Sequence, residues 1–113
     1  MFILFLSVFQ QRGLTMSLHM NVVRFKPKPG QGDAILKAHN AFDFTAWDGC
    51  LSFKMVTYDG GMCSILEWQS EAHMQAAMAQ MITLLDSIRD QLDEISPDLG
   101  VTDPLSGPAQ VFL

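Results

Sequence analysis

Positive charge is scarce in this chain: seven Lys and Arg stand against twelve Asp and Glu in 113 residues, a net charge of -5. Phosphate is bound mainly by Lys and Arg, so a nucleic-acid surface is not expected. The imbalance is uneven. Residues 1–60 carry six basic and four acidic side chains, whereas 61–113 carry Arg89 against eight acids. Asp86, Asp90, Asp93, Glu94 and Asp98 supply most of that acidity, and a solvated helix face is its plain reading.

Cysteine is scarcer still. Cys50 and Cys63 make no disulfide framework and fit a reducing compartment, so the expected location is cytoplasmic. His19, His39 and His73 show no metal-ligand spacing, and no metal site is expected. Phosphate loop, nucleophile elbow and dinucleotide fingerprint are missing, and Gly30-Gln31-Gly32 reads as a turn. Internal repeats and low-complexity segments are missing too.

Hydrophobic length is also lacking. The most apolar run, Met1 to Phe9, has nine residues, where a bilayer span needs ~20. It has no basic stretch before it and no small-residue cleavage site after it, so it does not read as a secretory signal. Residues 1–18 therefore read as an apolar extension. The choices are an extra strand or short helix over apolar surface, a contact to a partner chain, or upstream residues of a mis-assigned start, with Met16 or Met20 as the true one. An ordered packing or interface segment is the favoured choice.

What is present is globular: apolar residues make up 49% and aromatics 10% of the chain. Residues 19–113 read as one domain, small enough that pairing with a second copy would add useful buried area. Alternation predicts a first strand over His19–Lys26, with Asn21, Val23 and Phe25 on one face and Val22, Arg24 and Lys26 on the other. Pro27 to Gly32 ends it. Asp33 sits at an N-cap position for a helix from Ala34 to about Phe44, with Ile35, Ala38, His39 and Phe42 on one side.

Cys50–Tyr58 and Met62–Trp68 flank Asp59-Gly60, a two-residue hairpin signal of type I′. That turn places Leu51, Phe53 and Met55 opposite Trp68, Leu66 and Ser64 on a largely apolar face. Lys54, on the other face, lies diagonal to Glu67 as a candidate ion pair. Cys63 falls opposite Val56, leaving Cys50 ~20 Å away along the strand, too far for a bridge that needs Cα atoms within ~7 Å. Ser70 then caps a second helix, whose apolar positions Met74, Met78, Met81, Leu85, Ile88, Leu92 and Ile95 run to the stop at Ser96-Pro97. A linker over 98–108 and a short final strand over 109–113 complete the chain.

The order β-α-β-β-α-β predicts an α+β, ferredoxin-like fold: a four-stranded antiparallel sheet with two helices on one face. The other face mixes Val22, Val56, Ile65 and Tyr58 with Lys54, Arg24 and Glu67. It is too apolar to face only water and too polar for a monomer core, which predicts a homodimer through the sheet face.

Val23 to Gly30, Asp48-Gly49-Cys50-Leu51-Ser52 and Leu66 to Ala72 together resemble the antibiotic-biosynthesis-monooxygenase-like family of the dimeric α+β barrel superfamily. The resemblance runs from about Met20 to the end and rests on order and spacing. It implies homodimers with a cleft between sheet and helices in each protomer. Some members oxygenate polycyclic aromatics there without a cofactor, and haem-degrading relatives use a strand-one Asn, matched by Asn21, with a Trp and a helix His. That His lies about ten residues past the Trp, where this chain has Met78, so haem is not expected and no cofactor is implied.

Asn21, Trp68 and His73 are the candidate catalytic residues. A buried Asn beside an indole could orient a planar ligand or an oxygenated intermediate, and His73 could serve as a base. A strand-end Asn in water, a core Trp and a solvated first-turn His are the plainer alternatives. Candidate ligand-binding residues are His39, Phe53, Leu66, Met74 and Met78. Methionines at helical spacing suit a flat apolar ligand or simply fill a core. Two functions follow: a cofactor-independent monooxygenase-like enzyme for a small hydrophobic or aromatic molecule, or a non-catalytic dimeric module that binds a small molecule or partner.

Overall fold

The computed structural model describes residues 17–113; the apolar run at the start of the chain lies outside them. Strand β1 (His19–Pro27) buries alternate residues, among them Asn21 and Phe25. Helix α1 (Gly32–Ala41) follows, then strands β2 (Cys50–Tyr58) and β3 (Gly61–Trp68). Helices α2 (Glu71–Ala76) and α3 (Met78–Ile88) come next. A 3₁₀ turn (Arg89–Gln91), the two-residue strand β4 (Leu92–Asp93) and strand β5 (Thr102–Pro108) follow. The antiparallel order is β2-β3-β1, with β5 on the free side of β1 and β4 beside its last residues. This is the expected ferredoxin-like α+β fold.

One face of the sheet carries the helices over two apolar clusters. Trp47, Leu66, Trp68, Met74, Ala77 and Leu84 form one; Phe25, Ile35, Met62, Ile88 and Leu92 form the other. The hairpin register is as expected from Phe53 opposite Leu66 through Val56 opposite Cys63 to Tyr58 opposite Gly61. Its turn differs from type I′. Gly60 has φ 97° but Asp59 does not share the positive φ, so only the second central residue is left-handed, as in type II.

The register departs from expectation at the start of β2. A bulge between Cys50 and Ser52 sets Cys50, not Leu51, opposite Trp68, and Leu51 turns outward, 54% exposed. The cause lies just before the strand. Gly49 has φ 79°, its carbonyl accepts from Gln69 N at 2.7 Å, and the His73 side chain packs on its open side. Cys50 and Cys63 are free and half-buried, and burial pushes the Cys50 thiol pKa upward.

Further expectations are corrected. Asp33 is not the cap of α1; Gln31 holds that position without a side-chain bond, and the helix ends at Ala41, not near Phe44. The second helix stops well before Pro97, and it breaks once at Ala77, whose N–H is shared between the His73 and Met74 carbonyls. Leu92 is buried as expected, but from β4, where it pairs with Pro27 while Gln91 O accepts from Lys28 N at 2.8 Å. Strand pairing thus overrides helical period. The final strand is Thr102–Pro108, inside the expected linker, and residues 109–113 are not a strand. Pro104 and Pro108 are tolerated because β5 is an edge. Lys54 and Glu67 form no ion pair; those present among the described residues are Arg24–Asp103 and Arg89–Asp86.

A Cβ at Gly49 would lie 2.7 Å from His73 Cβ and closer to its ring, in a left-handed backbone, whereas one at Gly60 meets nothing within 4 Å. Gly49→Ala is therefore expected to cost about 2–4 kcal/mol in urea unfolding, and Gly60→Ala about 1–2 kcal/mol. Adding His73→Ala to Gly49→Ala should recover the steric part; equal losses at the two glycines would remove this account of the bulge.

Candidate functional site

β1 and β3 lie side by side, with Asn21 opposite Leu66, so Trp68 is Asn21's diagonal neighbour on the helix-covered face. The Trp68 indole is fully buried, and its Nε1–H donates to Asn21 Oδ1 at 2.6 Å. An indole N–H can only donate, so the oxygen of the Asn21 amide must face it. The amide nitrogen then points the other way and meets only the Met81 sulfur, at 4.0 Å. Asn21 thereby presents a nearly free double donor between sheet and helix.

That donor borders a cleft of about 500 Å³. The sheet contributes Asn21, Val23, Phe25, Phe53, Ser64 and Leu66, and the opposite wall is Met74, Met78, Met81, Ile82, Leu85 and Ile88. His39 enters from α1, and β5 adds Thr102, Pro104 and Ser106. The helical stripe read from the sequence is therefore divided. Met74 and Ile88 touch the cleft but are buried in the core, whereas Met78, at 37% exposure, Met81 and Leu85 stand half-open along its wall.

The structure brings five of the sequence candidates other than Asn21 to this cleft: His39, Phe53, Leu66, Met74 and Met78. Trp68 does not line it; it acts on the cleft through Asn21. His73 is elsewhere. Its Nδ1 lies 2.6 Å from Ser70 Oγ, which also accepts from His73 N at 3.2 Å and so caps α2. The ring borders a separate cavity of about 310 Å³ with Ala46, Asp48 and Ala72. No imidazole from α2 or α3 thus reaches the cleft. Among the described residues, no three His, Cys, Asp or Glu side chains are grouped to hold a metal ion.

Sequence reasoning missed the β5 contribution, because Thr102, Pro104 and Ser106 fall in the stretch read as linker. It also missed the Phe42, Phe44 and Trp47 group that follows α1. Trp47 stacks on Phe53 at 5.9 Å and on Trp68 at 5.8 Å, with Phe44 edge-on at 4.9 Å. This aromatic block backs Trp68 and shapes a second cavity of about 460 Å³, which shares His39 and Phe53 with the first. The loop is held by Asp43, whose carboxylate accepts from Thr45 N at 3.0 Å and Thr45 Oγ1 at 2.7 Å. Those bonds hold the Asp43 pKa below the ordinary carboxylate value.

No family model and no curated protein matches the chain. Solved structures do. A conserved protein from Methanosarcina mazei is 12% identical with TM-score 0.69, over 85% of this chain and 96% of that one. SnoaB, a cofactor-independent oxygenase from Streptomyces nogalater, is 15% identical with TM-score 0.62, over 86% and 97%. A monooxygenase from the gene ActVA-Orf6 of Streptomyces coelicolor, in complex with nanaomycin D, is 14% identical with TM-score 0.66, over 90% and 95%. Identities this low establish shape alone: the chain has the α+β fold shared by antibiotic-biosynthesis-monooxygenase-like proteins.

Proposed function

We propose that this chain is a homodimeric, cofactor-independent monooxygenase-like enzyme acting on a flat, largely apolar aromatic molecule in the cleft between sheet and helices. The observation that carries the reading is the 2.6 Å bond from Trp68 to Asn21, which turns the amide N–H groups toward a cleft of about 500 Å³. A cleft of this size with apolar walls and few polar groups suits a small aromatic ligand. Donors fixed before the ligand arrives stabilise an oxygen that gains negative charge as a ring carbon is deprotonated and dioxygen adds. The likeness to SnoaB and to the ActVA-Orf6 monooxygenase supports the same reading. Trp68 is then a positioning residue. A binding module without turnover is the second reading, favoured by the placement of His73 outside the cleft.

The dimer rests on the other face of the sheet. Val56, Tyr58 and Leu105 are exposed there, and Asp103 holds the Arg24 guanidinium by hydrogen bond and charge, which raises its pKa further. A second copy would cover these apolar side chains.

Turnover of an anthrone with dioxygen is expected to fall about 10²-fold in Asn21→Ala. Trp68→Phe should fall by a similar factor, because it frees the amide to rotate, and the double variant should be little worse than either single one. Additive losses would show that the two residues do not act as a unit, and wild-type protein inert toward anthrones but able to bind them would favour the binding module. Light scattering at micromolar concentration should give twice the chain mass; a monomeric mass would refute the dimer.

A further inference from the structure

Among the described residues, His39 is the one ionisable side chain that lines the main cleft. Its Nδ1 lies 2.8 Å from the Ile35 carbonyl oxygen, one helical turn back. A carbonyl can only accept, so Nδ1 carries the hydrogen and the neutral ring keeps its lone pair on Nε2. The ring is also held edge-on to Phe53 at 5.8 Å. A bonded Nδ1–H, an aromatic contact and a place on a rigid helix fix both tautomer and orientation, the usual way a protein prepares an imidazole to accept. The other polar side chains of the cleft cannot take this part. Asn21 Oδ1 is occupied by Trp68, and the Ser64 hydroxyl lies 3.5 Å from the Val23 carbonyl, to which it donates; Thr102 and Ser106 hydroxyls are far weaker bases than imidazole.

We infer that His39 Nε2 is the proton acceptor of the cleft, taking the hydrogen of an acidic O–H on the bound aromatic while the Asn21 amide donates to an oxygen of the same molecule. The inference rests on the proposed aromatic-binding cleft and adds a residue and a ligand requirement to it. The O–H bond of the ligand breaks and an N–H bond forms on Nε2, leaving an imidazolium beside an oxyanion and the total charge unchanged. No oxidant is involved in this step. Among the described residues, the titratable groups that line the second cavity together with His39 are Cys50 and Lys54.

The test uses 2-hydroxyanthraquinone, whose ionised form has its own visible band, and its 2-methoxy ether, which has no proton to give. Wild-type protein should bind the hydroxyl compound about tenfold more tightly than the ether, the scale of one hydrogen bond to a charged group. It should also show the band of the ionised dye at a pH where the free dye is neutral. In His39→Phe the preference should fall to about twofold or less and the band should vanish. His39→Gln, which can accept a hydrogen bond but not a proton, should keep part of the preference without the band, and a melting curve checks that each variant folds. Persistence of the band in either variant, or equal binding of the two dyes by the wild type, overturns the role given to His39. Failure of the wild type to bind either dye instead overturns the proposed aromatic site, and this inference with it.

Discussion

A buried indole N–H must find an acceptor or cost about 1–3 kcal/mol, and in this fold the acceptor for Trp68 comes from the neighbouring strand. The bond from Nε1 to Asn21 Oδ1 therefore joins two decisions: how β1 pairs with β3, and which way the Asn21 amide points. Side chains alternate between faces, so a slip of one residue in that pairing would carry Asn21 to the outer face and leave the indole unpaired. Register, core packing and the polarity of the cleft are thus fixed together. The aromatic block behind Trp68, built from Trp47, Phe44 and Phe53, adds rigidity without adding a competing acceptor.

This coupling also explains which parts could be read from the sequence. Period-two alternation in His19–Lys26 and the Asp59-Gly60 signal are local, and local features sufficed to place Asn21, Trp68, Phe53 and Leu66 on one face. The bulge at Leu51 is not local. It depends on Gly49 adopting a left-handed backbone against the side chain of His73, a contact made only after α2 has docked. His73 misleads for the same reason. Five residues after Trp68 looks close in sequence, but the strand-to-helix corner and the Ser70 cap turn the ring toward Gly49 instead of the cleft.

Leu92 and β5 show two other limits. Leu92 fits the helical period and is buried, yet its burial is delivered by strand pairing, so periodicity identified the right residue in the wrong element. Strand β5 contains two prolines and a glycine in seven residues, a composition that reads as linker. An edge strand pairs on one side only, so it can spare the N–H groups that proline removes. These seven residues supply Thr102, Pro104 and Ser106 to the cleft rim, a part of the site with no signature in composition.

The division of the helical stripe is the remaining step from fold to site. A helix packed evenly on its sheet would bury Met78, Met81 and Leu85 as fully as Met74 and Ile88. Here the chain breaks at Ala77, between Met74 and Met78, and the two clusters of the core close at opposite ends of the sheet. The space between them stays open beside Asn21. Leaving apolar side chains half-exposed forgoes about 25 cal/mol for each Å² not buried, a cost that a folded chain of this size has little reason to carry unless something else occupies the gap. An apolar ligand would recover that area on binding and raise stability in proportion to its affinity and concentration. The methionine side chains suit such an occupant, since unbranched thioethers repack around different flat shapes with little strain. The Asn21 amide and the His39 ring supply the few fixed polar directions that an otherwise featureless wall lacks.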